Sequence, residues 1–139
     1  MLGDINGSIR QWVNLFLNDK EYPEDMFVTH EQARKIVDHD TVVVVVDTNR
    51  PSMTECSEIL NQTRTIVVLD HHRQSSEVIK NAVLSYIEPY ASSACEMIAE
   101  ILQYFADDIR LKGKEADCIY AGIIIDTNNF MVENRGPHL

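Results

Sequence analysis

Residues Val42 to Val46 are five consecutive valines. β-Branched side chains of this kind suit a strand better than a helix. With no polar alternation, the run predicts a strand over Thr41–Val46 buried on both faces, as in a parallel sheet. A second apolar run, Thr65–Leu69, and a third, Val83–Ile87, predict two further strands. Helical patterns lie around them. Ile9, Trp12, Val13, Phe16 and Leu17 recur at helical spacing and predict a helix over about 5–17. Thr29 with Gln32 forms a capping box opening a helix through Val37, after a short strand at Met26–Val28. Ser52 with Glu55 reads as a second capping box, opening a helix to about Asn61. Ser93 with Glu96 starts a long helix to about Phe105, and Lys114–Ile125 is helical with an apolar end. Strands alternating with helices imply right-handed βαβ units, hence an α/β fold with a parallel sheet between helices.

The chain has 139 residues, enough for one domain, with 45% hydrophobic and 24% charged residues, the profile of a soluble globular protein. No apolar run approaches the roughly 20 residues that span a bilayer. Residues 1–10 lack the basic start and apolar stretch of a signal peptide. Cys56, Cys95 and Cys118 are widely spaced and form no CxxC pair. They read as reduced, structural thiols of a cytoplasmic protein. A net charge of −10 disfavours holding long nucleic acid by bulk electrostatics. It leaves room for phosphate-ester chemistry in which divalent metal ions supply the positive charge. Both ends break off without a closing element, so the sequence reads as one partial domain, residues 1–139, of a longer chain.

In parallel sheets, ligand-binding groups gather at the carboxyl ends of the strands. The first valine strand runs into Asp47-Thr48-Asn49, and the second into Asp70-His71-His72. Carboxylate and imidazole side by side suit a transition metal such as manganese. Asp47 is equally well read as a turn residue closing its strand, and the two histidines as part of a surface turn. A third carboxylate, Asp126, ends the run Ala121–Ile125. A metal would offset the cost of drawing that charge inward, and so would a turn in which Asp126 bonds nearby amides. Arg50, Arg64 and Arg73 are candidates for phosphate contact, with exposed surface charge as the plainer explanation. Ser92 and Ser93 stand where a helix N-terminus could orient a ligand, although capping alone accounts for Ser93. Trp12 and Phe16 read as core.

Together, Asp47-Thr48-Asn49, Asp70-His71-His72 and Gly122-Ile123-Ile124-Ile125-Asp126-Thr127 resemble the motifs of the DHH phosphoesterases, in order and in spacing, over about residues 25–132. Within that family, residues 47–52 and the stretch Tyr86-Ile87-Glu88-Pro89-Tyr90-Ala91-Ser92-Ser93-Ala94-Cys95-Glu96 resemble the catalytic region of membrane-anchored cyclic-di-AMP phosphodiesterases. The resemblance implies an α/β/α sandwich and a two-manganese site. Asp47 would bridge the metals, with His71 a ligand to one and Asp126 to the other. Asp70 would orient His71, and His72 would contact the phosphate or leaving oxygen. Arg73, Ser92 and Ser93 are expected as substrate contacts from their own positions, beside the triplet and at the helix start, not from the resemblance. Two cations would lower the pKa of a bridging water for in-line attack on phosphorus, opening a cyclic dinucleotide to its linear form.

The family's opening motif, a strand ending in His-x-x-x-Asp-x-Asp, is absent from this sequence. The resemblance therefore implies a domain lacking its first strand and half its ligands. It also lacks the glycine-rich substrate domain that follows in the family, and the transmembrane and sensor region that precedes. The expected function is the core of a manganese-dependent cyclic-di-AMP phosphodiesterase, inactive as an isolated chain. Its parent would be anchored in the membrane with this domain on the cytoplasmic side and no direct membrane contact of its own. A RecJ-like or short-oligoribonucleotide exonuclease is the alternative within the same chemistry. A non-catalytic interaction module, self-associating as a homodimer through exposed apolar surface, is the alternative outside it.

Overall fold

The computed structural model describes residues 7–128. The start of the predicted first helix at residues 5–6 and the segment 129–139 lie outside them. Three strands, β1 (Val42–Val46), β2 (Thr65–Asp70) and β3 (Leu84–Ile87), form one parallel sheet in the order β1-β2-β3. Val42 pairs with Thr65 and Val46 with Leu69, while Leu69 pairs with Tyr86. Four helices accompany the sheet: α1 (Gly7–Leu17), α2 (His30–Ile36), α3 (Ala94–Phe105) and α4 (Gly113–Asp126). The expected α/β class with a parallel sheet is the one observed.

One face of the sheet carries the main core, where Val45, Ile66 and Val68 meet Leu60 and Ile79. Beside it, Ala33 of α2 packs with Cys56 and Ile59. The prediction that the valine strand is buried on both faces fails: Val42, Val44 and Val46 are about half exposed or more, at 60%, 52% and 48%. All three point to the same side, because strand side chains alternate. Helix α3 packs against β2, and the outward valines of β1 keep their access to solvent.

Two caps form as the sequence indicates. Thr29 and Gln32 exchange both bonds of a capping box at α2. Ser93 Oγ accepts the Glu96 amide at 3.0 Å at the start of α3. The Ser52–Glu55 box does not form. Instead Glu77 accepts from the Ser52 amide and hydroxyl, each at 2.8 Å. Residues 51–61 then make only two short 3₁₀ turns, Pro51–Met53 and Ser57–Asn61. Met26–Val28 is likewise no strand but irregular chain, with Phe27 edge-on to Phe16 at 6.5 Å. On α1, Val13 and Phe16 are buried, whereas Ile9 and Leu17 face solvent.

Helix α4 is fastened at both ends. At its start, Lys114 pairs with Asp19 and Lys112 with Glu21, while the Tyr22 hydroxyl donates to Glu115. Towards its end it crosses α3 so closely that a Cβ on Gly122 would lie 2.3 Å from Cys95 Sγ. That approach needs a glycine. It brings the last residue of α4, Asp126, up to the carboxyl ends of β1 and β2.

Candidate functional site

Asp47 follows directly on β1 and adopts φ 65°, in the left-handed region. Aspartate tolerates this region better than most residues. Its amide donates to Leu69 O at 3.0 Å, extending the ladder by one bond before the chain turns away. The turn keeps Asp47 beside the end of β2, where Asp70, His71 and His72 stand. His71 Nε2 lies 3.4 Å from Asp47 Oδ1 and 4.0 Å from Asp126 Oδ2. Two carboxylates, 24 residues before it and 55 after it in the chain, thus converge on one imidazole.

His72 tilts over His71 with ring centroids 4.4 Å apart. Asp47, His71 and His72 each offer a ligand atom, all within 4.8 Å of one another. The fully buried Asp70 carboxylate bonds the ring of His72, Oδ1 to Nδ1 at 2.7 Å. It therefore orients His72 rather than His71, the neighbour expected to be its partner. A cleft of about 470 Å³ opens here, lined by Asp47, Thr48, Asn49, Arg50, Asp70 and His72 among others.

Burial and the nearby Asp126 charge, in that order, push the Asp47 carboxyl above the ordinary carboxylate range. Among the described residues, no lysine or arginine lies within ion-pair distance of either carboxylate, and His71 is their shared neighbour. The donor set suits a divalent cation. Ligand atoms about 2.1 Å from one ion stand about 3 Å apart when adjacent and about 4.2 Å when opposite, so the 3.4 Å between His71 and Asp47 fits one ion, whereas Asp126 approaches His71 alone and lies outside the cluster of Asp47, His71 and His72. Burial also raises the thiol of Cys95, helped by the charges of Asp126 and Asp47. A thiol kept protonated in this way is no nucleophile.

The remaining candidates fall differently. Arg73 is exposed and lines a second cleft with Gln74, Ser85 and Tyr90, at the carboxyl end of β3. Arg64 pairs with Asp40, away from the cluster. Ser92 and Ser93 serve the start of α3. The Ser92 hydroxyl donates to Glu96 at 2.5 Å, and Ser93 is fully buried as the cap. Asn49 was not among the candidates. It is 4% exposed and donates to Asp70 Oδ2 at 2.5 Å. In sequence it stands in the Asp47-Thr48-Asn49 motif with no role of its own assigned, and the contact with a residue 21 positions on reveals one.

A parallel sheet with an acid–imidazole cluster across the carboxyl ends of two strands defines a class of α/β scaffold built to carry metal ligands. The profile of the DHH family, N-terminal domain, matches residues 5–123, and the chain belongs to that family. It is 42% identical over 113 residues to the cyclic-di-AMP phosphodiesterase GdpP of Bacillus subtilis, covering 80% of this chain and 17% of that protein. It is 39% identical over 127 residues to the cyclic-di-AMP phosphodiesterase PdeA of Listeria monocytogenes, covering 89% and 19%. The chain thus spans less than a fifth of either relative. Among solved structures, an exopolyphosphatase-related protein from Bacteroides fragilis matches with a TM-score of 0.66 at 21% identity, covering 91% of this chain and 36% of that one. This last match speaks for the fold alone.

Proposed function

We propose that this chain is the ligand-bearing core of a manganese-dependent phosphodiesterase that opens cyclic-di-AMP to the linear dinucleotide. The observation that carries the reading is the meeting of Asp47, His71 and Asp126 within 4.0 Å of one imidazole nitrogen. The similarity to two cyclic-di-AMP phosphodiesterases supports the substrate class. A net charge of −10 goes with a small substrate rather than long nucleic acid.

In this reading Asp47, His71 and Asp126 hold manganese. When bound, the metal supplies positive charge to the phosphoryl oxygens and lowers the pKa of water. The chain's own residues do the rest. Asp70 accepts a hydrogen bond from Nδ1–H of His72, which leaves the Nε2 lone pair beside the phosphate to take up the proton released by the adding water and pass it to the departing oxygen. Arg73, on the rim of the neighbouring cleft, lends a cation to a second phosphate. One P–O bond breaks as water adds to phosphorus, and the departing oxygen leaves as a hydroxyl. Three ligands suffice for one cation rather than two, so turnover by these 139 residues alone is negligible. No helix among the described residues is long and apolar enough to cross a membrane; anchoring and cytoplasmic placement belong to the parent polypeptide in this proposal.

The test is hydrolysis by the longer polypeptide that contains this segment. Cyclic-di-AMP should be opened, and His72→Ala should slow it about 10²–10³-fold, as for loss of an acid–base group. Turnover of a 5′-phosphorylated linear dinucleotide faster by orders of magnitude would assign the site to an oligoribonuclease instead.

A further inference from the structure

Asn49 sits in the turn after β1 with its backbone pinned, since its carbonyl accepts from the amide of buried Ile79 at 3.1 Å. Its Nδ2 donates to Asp70 Oδ2 at 2.5 Å and to the carbonyl of His72 at 3.3 Å. The other oxygen of Asp70, Oδ1, accepts from the His72 amide at 3.2 Å and faces His72 Nδ1 at 2.7 Å. Among the described residues, every hydrogen bond to this fully buried carboxylate therefore comes from Asn49 or His72. Reversing the amide would set two oxygens against each other at 2.5 Å, so its orientation follows from the carboxylate. The arrangement also leaves Asn49 Oδ1 buried without a hydrogen-bond partner among the described residues. An apolar side chain could fill the same space without that unsatisfied acceptor. A packing role does not account for asparagine here.

We infer that Asn49 is a positioning residue. It locks the Asp70 carboxylate so that Oδ1 accepts the hydrogen bond from Nδ1–H of His72, fixing the imidazole as a single tautomer with Nε2 free on the cleft side. The bond to the His72 carbonyl holds the backbone of the same residue, so ring and main chain are set together. As a role in catalysis this rests on the reading of His72 as the phosphate-facing imidazole. The geometric claim itself needs neither substrate nor metal, so its failure and the failure of that reading are separable.

The test is nitrogen NMR of the histidine rings in the whole 139-residue chain at pH 8, with His72 assigned by the signal lost in His72→Gln. In the wild type the two ring nitrogens of His72 should give widely separated signals, one pyrrole-like at Nδ1 and one pyridine-like at Nε2. In Asn49→Ala, and in Asn49→Leu, which fills the space without a donor, the two signals should move towards each other as both tautomers become populated. Unchanged His72 signals in either variant, folded by its amide spectrum, would overturn the inference. Should neither variant fold, exchange in the wild type decides. The side-chain amide protons of Asn49 should exchange at least tenfold more slowly than those of exposed Asn61, and equal rates would overturn the inference.

Discussion

Asp47 combines three demands in one residue: a left-handed backbone, a carboxylate beside Asp126, and a position next to His71. Its raised pKa has a definite sign. A carboxyl whose folded pKa lies above the unfolded value stabilises the fold at low pH, and that contribution is lost as pH rises through the folded pKa. At neutral pH the ion-free protein therefore carries a small electrostatic penalty, screened because 57% of the Asp47 side chain is exposed. Asp47→Asn should raise the melting temperature of the ion-free protein at pH 7, by less than about 1 kcal/mol of stability. The gain should shrink as pH falls below the carboxylate range. The same change should abolish any melting-temperature rise produced by manganese. Thermal melts at pH 4 and 7, with and without the ion, read both effects.

At the scale of elements, the site depends on how close α3 and α4 come. Gly122→Val would drive a branched side chain into Cys95 and push the end of α4, with Asp126, off His71. Overpacking of this kind costs about 1–3 kcal/mol, measurable by urea denaturation. Much of the element pattern is legible in the sequence because its causes are local. The Thr29–Gln32 box forms from residues three apart, and the strands end where Asp47 and Asp70 follow apolar runs. What escapes is set by distant chain. Ser52 is taken by Glu77, 25 residues on, so the helix it was expected to open gives way to 3₁₀ turns. Met26–Val28 has strand composition but no strand to pair with, and Asn49 gains its role only from Asp70. The five valines specify a strand and its alternation, but not what covers each face.

At the scale of the molecule, the acidic surface and the site belong to one electrostatic design. Lysine and arginine side chains are spent on peripheral ties such as Lys114–Asp19, Arg34–Glu58 and Arg64–Asp40. Among the described residues, His71 alone lies within 4.0 Å of both converging carboxylates at the sheet's carboxyl end. A cation is the natural complement to such a cluster. That the three motifs belong together and meet was expected from the resemblance alone; no local pattern signals the α3–α4 crossing that brings Asp126 to His71. Calorimetric titration of manganese into the 139-residue chain tests this convergence most directly. One weak site per chain is predicted, with affinity falling at least about tenfold in His71→Ala. Two tightly bound ions per chain, or identical heats from the wild type and His71→Ala, would contradict it.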